Sequence, residues 1–64
     1  NTLPILAATY AELGSLDEAR AVVAKISAAN PSVTLKFMRE AFPFGTEADT
    51  ERFISALRKA GLPE

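Results

Sequence analysis

The chain contains no histidine and no cysteine. The first absence removes the commonest general base and a frequent zinc ligand; the second removes the thiol nucleophile, thiolate ligands and any disulfide framework to brace a small core. Glycine is scarce as well. Gly14, Gly45 and Gly61 stand apart, so neither a Walker-type loop nor a G-x-G-x-x-G turn is available to cradle a phosphate. Basic charge is not in excess: seven Lys and Arg against eight Asp and Glu give a net charge of −1. That balance argues against a sequence-independent nucleic-acid or membrane-surface role. No apolar run approaches the roughly 20 residues of a membrane span, and no charged-then-apolar leader precedes a cleavage site. The expectation is a soluble chain in a cytoplasmic setting, with no cofactor, no metal and no enzymatic chemistry of its own.

At 64 residues the chain makes one small domain at most. Apolar residues are 48% of it, but twelve of them are alanines that bury little area each. A core built from these is marginal, because domains of this size bury only about 60% of their unfolded surface.

The apolar residues recur with helical spacing. Leu3, Leu6, Ala7, Tyr10 and Leu13 form one stripe at i, i+3, i+4, i+7. Thr2 is placed to cap that helix, Pro4 is tolerated in a first turn that has no partner for an N–H, and Gly14 suits a left-handed stop. Ser15 and Glu18 have the spacing of a capping box opening a second helix, whose stripe is Leu16, Ala19, Val22, Val23 and Ile26. So short a turn makes the two helices pack antiparallel, with Ala7 and Ala19 allowing close approach. Pro31 ends the second helix.

Leu3, Leu6, Ala7, Tyr10, Gly14, Leu16, Ala19, Val23, Ile26 and Pro31 follow the order and intervals of the large, small and breaker positions of a tetratricopeptide repeat, which the segment 1–31 resembles. The resemblance implies an all-α, superhelical helix-turn-helix architecture of about four helices, and a scaffold that holds another polypeptide.

Residues 32–64 read as a degenerate half repeat followed by a capping helix. Phe37, Ala41 and Phe44 echo Leu3, Ala7 and Tyr10, but Glu40 stands where Leu6 predicts a large apolar residue, and Pro43 interrupts the helix. The pattern predicts a short helix over 33–42, capped by Ser32, burying Val33, Phe37, Met38, Ala41 and Phe42. A fourth helix starts at Thr46 with Glu47 and Asp49 at its positive end. Its stripe is Phe53, Ile54, Leu57 and Ala60, Arg58 and Lys59 lie in its last turn, and Gly61 with Leu62 makes a Schellman stop before Pro63. The segment FPF, a spacer and ADTERFISALRKAGLPE is similar to the tails that follow tetratricopeptide arrays in bacterial class III adenylate/guanylate cyclases, except that Gly45, Thr46 and Glu47 replace a more common basic residue, Asp and Pro. That similarity implies a multidomain signalling parent with an N-terminal catalytic domain and transfers no catalytic residue here. A start at Asn1 close to a helix, and a firm helix stop near Glu64, lead us to expect a C-terminal piece of that parent.

The carboxylates Asp17, Glu18, Asp49 and Glu51 fall in first helical turns and are read as dipole and capping residues rather than acid/base groups. Binding by a surface remains. In the tetratricopeptide family the first helix of each repeat lines a peptide groove, which here implies exposure of Pro4, Ala8, Ala11 and Glu12. The family's carboxylate clamp needs Asn and Lys, which Ala8 and Glu12 do not supply. Lys36, Arg39 and Arg52 are candidates for a basic patch beside this groove, weighed against a plain solvated face. Phe37, Phe42, Phe44 and Phe53 are read as core beneath the cap. The expected partner is a protein or peptide, self-association included, with Ile5 and Thr9 as candidate outer-face residues. The alternative is a purely structural C-terminal cap of a helical solenoid, without a ligand.

Overall fold

The computed structural model describes residues 2–64, and every regular element among them is an α-helix. The helices are α1 (Leu3–Glu12), α2 (Leu16–Ala29), α3 (Leu35–Ala41) and α4 (Glu47–Lys59). None of them is long and apolar enough to cross a membrane.

Both glycine stops form as the sequence implies. Gly14 adopts φ +83°, the Ser15 N–H donates to the Tyr10 carbonyl at 2.9 Å and the Gly14 N–H to the Ala11 carbonyl at 3.1 Å. Gly61 repeats this at the end of α4 with φ +99°, Leu62 donating to Leu57 at 3.1 Å and Gly61 to Arg58 at 3.0 Å. These paired bonds satisfy the orphan carbonyls of each last turn, and Leu62 and Leu57 both enter the core. At Pro31 α2 stops differently, with Asn30 in an extended conformation.

The N-termini depart from expectation at three of four helices. Thr2 lies in the helical region of backbone space and makes no side-chain cap bond; a capping side chain needs the extended conformation to reach the free N–H groups. Ser15 also makes no cap bond, so the Ser15–Glu18 box does not form. Its backbone is committed to the stop of α1 and sits at φ −89° and ψ 65°, outside the extended region from which a side chain caps. For α3 the cap is Thr34 rather than Ser32: its Oγ1 accepts from the Phe37 N–H at 3.1 Å, and the helix starts two residues later than the pattern predicts. The Ser32 N–H is instead taken by Asn30 Oδ1 at 3.1 Å, folding 30–33 into a turn. Only Thr46 caps as read, accepting from the Asp49 N–H at 3.1 Å.

The core runs across the α1–α2 hairpin and into α4. Ala7 and Ala19 are wholly buried, and α1 and α2 form the most extensive helix contact. Small side chains let two helix backbones come close, so α2 and α4 both pack on the alanine face of α1. Ile54 and Leu57 of α4 are wholly buried, with Phe53, Ala56 and Ala60 beside them. α3 packs on α4 alone, with no comparable approach to α1 or α2 among the described residues. Its place is fixed at the N-terminal end by a backbone bond from the Leu35 N–H to the Pro63 carbonyl at 2.8 Å. Leu35, absent from the predicted stripe, is buried beside this bond, whereas Phe37 and Ala41, predicted to be buried, are exposed.

Candidate functional site

The buried face of α1 is turned toward the alanines relative to the stripe read from the sequence: Ala7 is buried and Leu3 and Tyr10 pack at the core's edge, but Leu6 and Leu13 are left exposed, at 41% and 74%. The other buried residues of α1 are Pro4, Ala8 and Ala11. With large side chains inward, α1 would be held off from its neighbours; with alanines inward, two helices pack against it at once. Leu6 and Leu13 then face out.

This arrangement decides the fate of the expected groove. Pro4, Ala8 and Ala11 are not open to a peptide groove but buried, Ala8 and Ala11 along the α4 seam and Pro4 at the cleft shared with the end of α2 and with α3. What remains are two shallow crevices along the α1–α4 seam. One, about 240 Å³, is lined by Ile5, Ala8, Thr9, Glu12, Phe44, Asp49, Arg52 and Phe53. The other, about 110 Å³, lies between Ala11, Glu12, Arg52, Ser55, Ala56 and Lys59. Glu12 stays at the surface and pairs with Arg52 Nε at 3.7 Å across the seam.

The basic patch does not assemble either. Arg39 of α3 pairs with Glu51 of α4, which ties these two helices together and neutralises the guanidinium. Arg52 is turned toward Glu12, leaving Lys36 alone on the outer side of α3. Arg58 and Glu64 form a further exposed pair, Nε to Oε2 at 3.0 Å. The Glu64 hydrogen bond, then its charge, raises the Arg58 guanidinium above its ordinary value. Arg20 and Asp17 lie one helical turn apart at 3.8 Å.

Three of the four phenylalanines, all read from the sequence as core, gather around the start of α4, but only Phe53 is buried there, with Phe42 half-buried and Phe44 exposed. Phe53 is buried and meets Phe44 edge-on at a centroid distance of 5.1 Å and Phe42 at 5.3 Å. Phe44 closes this cluster with part of its ring in solvent. Phe37 does not join it. It lines an apolar cleft of about 320 Å³ between α3, the start of α1 and the end of α2, shared with Leu3, Ile26, Val33 and Met38.

The exposed large apolar residues are therefore Leu6 and Leu13 at the edge of α1, Ile5 and Phe44 at the α1–α4 crevice, and Phe37 at its cleft. Ile5 and Thr9 lie outward as read from the sequence, with the Thr9 hydroxyl donating to the Ile5 carbonyl at 2.8 Å. Leu6 and Leu13 were hidden from sequence reasoning by their fit to a helical stripe; the signal that separates them is the neighbouring run of small residues Ala7, Ala8 and Ala11, which shares only Ala7 with that stripe. No family model, curated protein or solved structure matches this chain.

Proposed function

We propose that this chain is a non-catalytic, tetratricopeptide-like scaffold segment that docks another polypeptide through the outer edge of α1. The observation that supports the reading is the exposure of Leu6 and Leu13 on a helix whose opposite face is filled by the chain's own α4. Large aliphatic side chains left in water beside one another mark a contact surface more often than isolated ones do. On this reading the docking face has moved from the alanine side of α1, taken by α4, to the leucine side. The parent is a larger signalling protein, with the bacterial adenylate/guanylate cyclases as the model for its domain order and the cytoplasm as its setting.

A second reading has its own support. α4 lies over Ala8 and Ala11, where a peptide-binding repeat stays open, and this suits a cap that seals a helical solenoid without a ligand. Site-specific photocrosslinking separates the two. A benzophenone amino acid at position 13 is compared with one at position 25, where Lys25 lies on the solvated side of α2. Docking predicts crosslinks to a second polypeptide from position 13 and none from position 25. Crosslinks from neither position, or only within the same chain, would overturn the docking reading and leave the cap.

A further inference from the structure

α3 is the shortest helix, and among the described residues α4 is the only helix it packs on. Of its seven residues only Leu35 and Met38 are buried. Exposed residues flank it on both sides, at 31–32 before it and 43–46 after it. Toward α1 and α2 it faces the apolar cleft of about 320 Å³, with Phe37 and Met38 on its own wall and Leu3, Ile26 and Ala29 on the other.

The two ends of α3 are held in different ways. At its C-terminal end Phe42 meets the Phe53 ring of α4 at a centroid distance of 5.3 Å, and Phe44 meets the same ring at 5.1 Å. At its N-terminal end the tie is a segment outside any helix: the Leu35 N–H donates to the Pro63 carbonyl at 2.8 Å. Residues 62–64 are in turn fastened to α4. The Leu62 side chain is buried, its N–H donates to the Leu57 carbonyl at 3.1 Å, and Glu64 pairs with Arg58. Midway along α3, Arg39 pairs with Glu51, but both side chains are nearly half in solvent, where an ion pair holds weakly.

Neither half of the N-terminal tie is stable without the other. Leu35 is the first residue of α3, so its N–H has no partner inside the helix, and at 2% exposure it has no water to replace the Pro63 carbonyl. Leu35 and Leu62 also belong to one buried cluster, and lifting either strips cover from it. We propose that α3 and residues 62–64 form a single latch, which opens as one unit about the Phe42 end while α1, α2 and α4 stay folded. Closed, the latch walls the apolar cleft; open, it bares Met38 and Ile26 to solvent. The extensive contacts of α1 with α2 and α4 are untouched by this motion, so it takes less free energy than unfolding of the whole domain. The latch lies away from Leu6 and Leu13 and stands whether or not they dock a partner.

Amide hydrogen exchange of the full chain, with and without low urea, tests the latch. The amides of Leu35, Met38 and Leu62 donate to Pro63, Thr34 and Leu57. They should share one protection level, about tenfold or more below that of Val23 and Ile26 in α2. Urea accelerates exchange in proportion to the surface that opening exposes, so it should speed the α2 amides steeply and the three latch amides only slightly. Leu62→Ala then asks whether the segment and the helix move together. If they do, Met38 exchanges several times faster in the variant, although no residue of α3 has changed. Latch amides as slow and as urea-sensitive as those of α2 would overturn the proposal on the parent chain alone. Fast exchange at Met38 that Leu62→Ala leaves unchanged would overturn it too, because α3 would then be opening without the 62–64 segment.

Discussion

Ala19→Leu probes the helix pair on which everything else is assembled. Ala19 and Ala7 have no solvent exposure, so the three added carbons have no route outward and no void to fill. Burial of three methylene-sized groups is worth about 2.4 kcal/mol where space exists; here α2 must instead move off α1, or the new side chain must take a strained rotamer. Overpacking of a well-filled core costs about 1–3 kcal/mol. The cost spreads, because α4 packs on both helices and loses contact with one when they separate. A 64-residue domain has about 3–10 kcal/mol of total stability, so the upper end of this loss leaves it close to unfolding. A loss of about 2 kcal/mol lowers Tm by about 8–16 °C in a domain of this size. The assay is thermal denaturation followed by circular dichroism, with Ala21→Leu as the control, since Ala21 is exposed on the same helix. The control should hold its stability within about 0.5 kcal/mol. Ala19→Leu melting at the same temperature as the parent would refute close packing of α1 on α2.

Further substitutions test the helix ends and the ionisation behaviour. Thr46→Ala should cost about 1 kcal/mol by removing the oxygen that accepts from Asp49, whereas Ser15→Ala should be nearly silent, its hydroxyl making no cap bond; equal losses in chemical denaturation would contradict the caps as described. Gly61→Ala should destabilise by about 1–2 kcal/mol from its positive φ alone, since a Cβ there meets no neighbouring atom; an unchanged midpoint would show that the Schellman stop is dispensable. The chain has no histidine, so the melting temperature should stay level from about pH 6 to pH 8. Arg58 does not disturb this: its folded value is raised, so its contribution is complete below the unfolded value and is lost only as pH rises through the folded one. A titration step inside the neutral window would mean that another group is coupled to folding.

Helix identity and helix ends were legible in the sequence because glycine, proline and threonine act locally. Gly14, Gly61, Pro31 and Thr46 fix their turns through backbone sterics and short-range hydrogen bonds, whatever else the chain does. The stripe of α4 was legible for a related reason: its charged residues leave one apolar direction, so Phe53, Ile54, Leu57 and Ala60 had to face inward. α1 offered no such contrast. Between Leu3 and Ala11 it is apolar nearly all round, and periodicity cannot choose between a leucine side and an alanine side. The choice was made by α4, some forty residues away in sequence, whose approach requires small side chains beneath it. The caps at Thr2, Ser15 and Ser32 failed for a different reason. Composition marks a residue able to cap, but the preceding turn sets its dihedrals, as the stop of α1 does for Ser15.

The most direct test of the account is amide hydrogen exchange of the intact chain, residue by residue. If α4 is the fixed occupant of the alanine face of α1, the amides of Leu57 and Ala60 exchange only through global unfolding, with the same free energy as those of Val23 and Ile26 in α2. Much faster exchange throughout α4 than in α2 would contradict this, showing that α4 detaches and that Ala8 and Ala11 line an open groove.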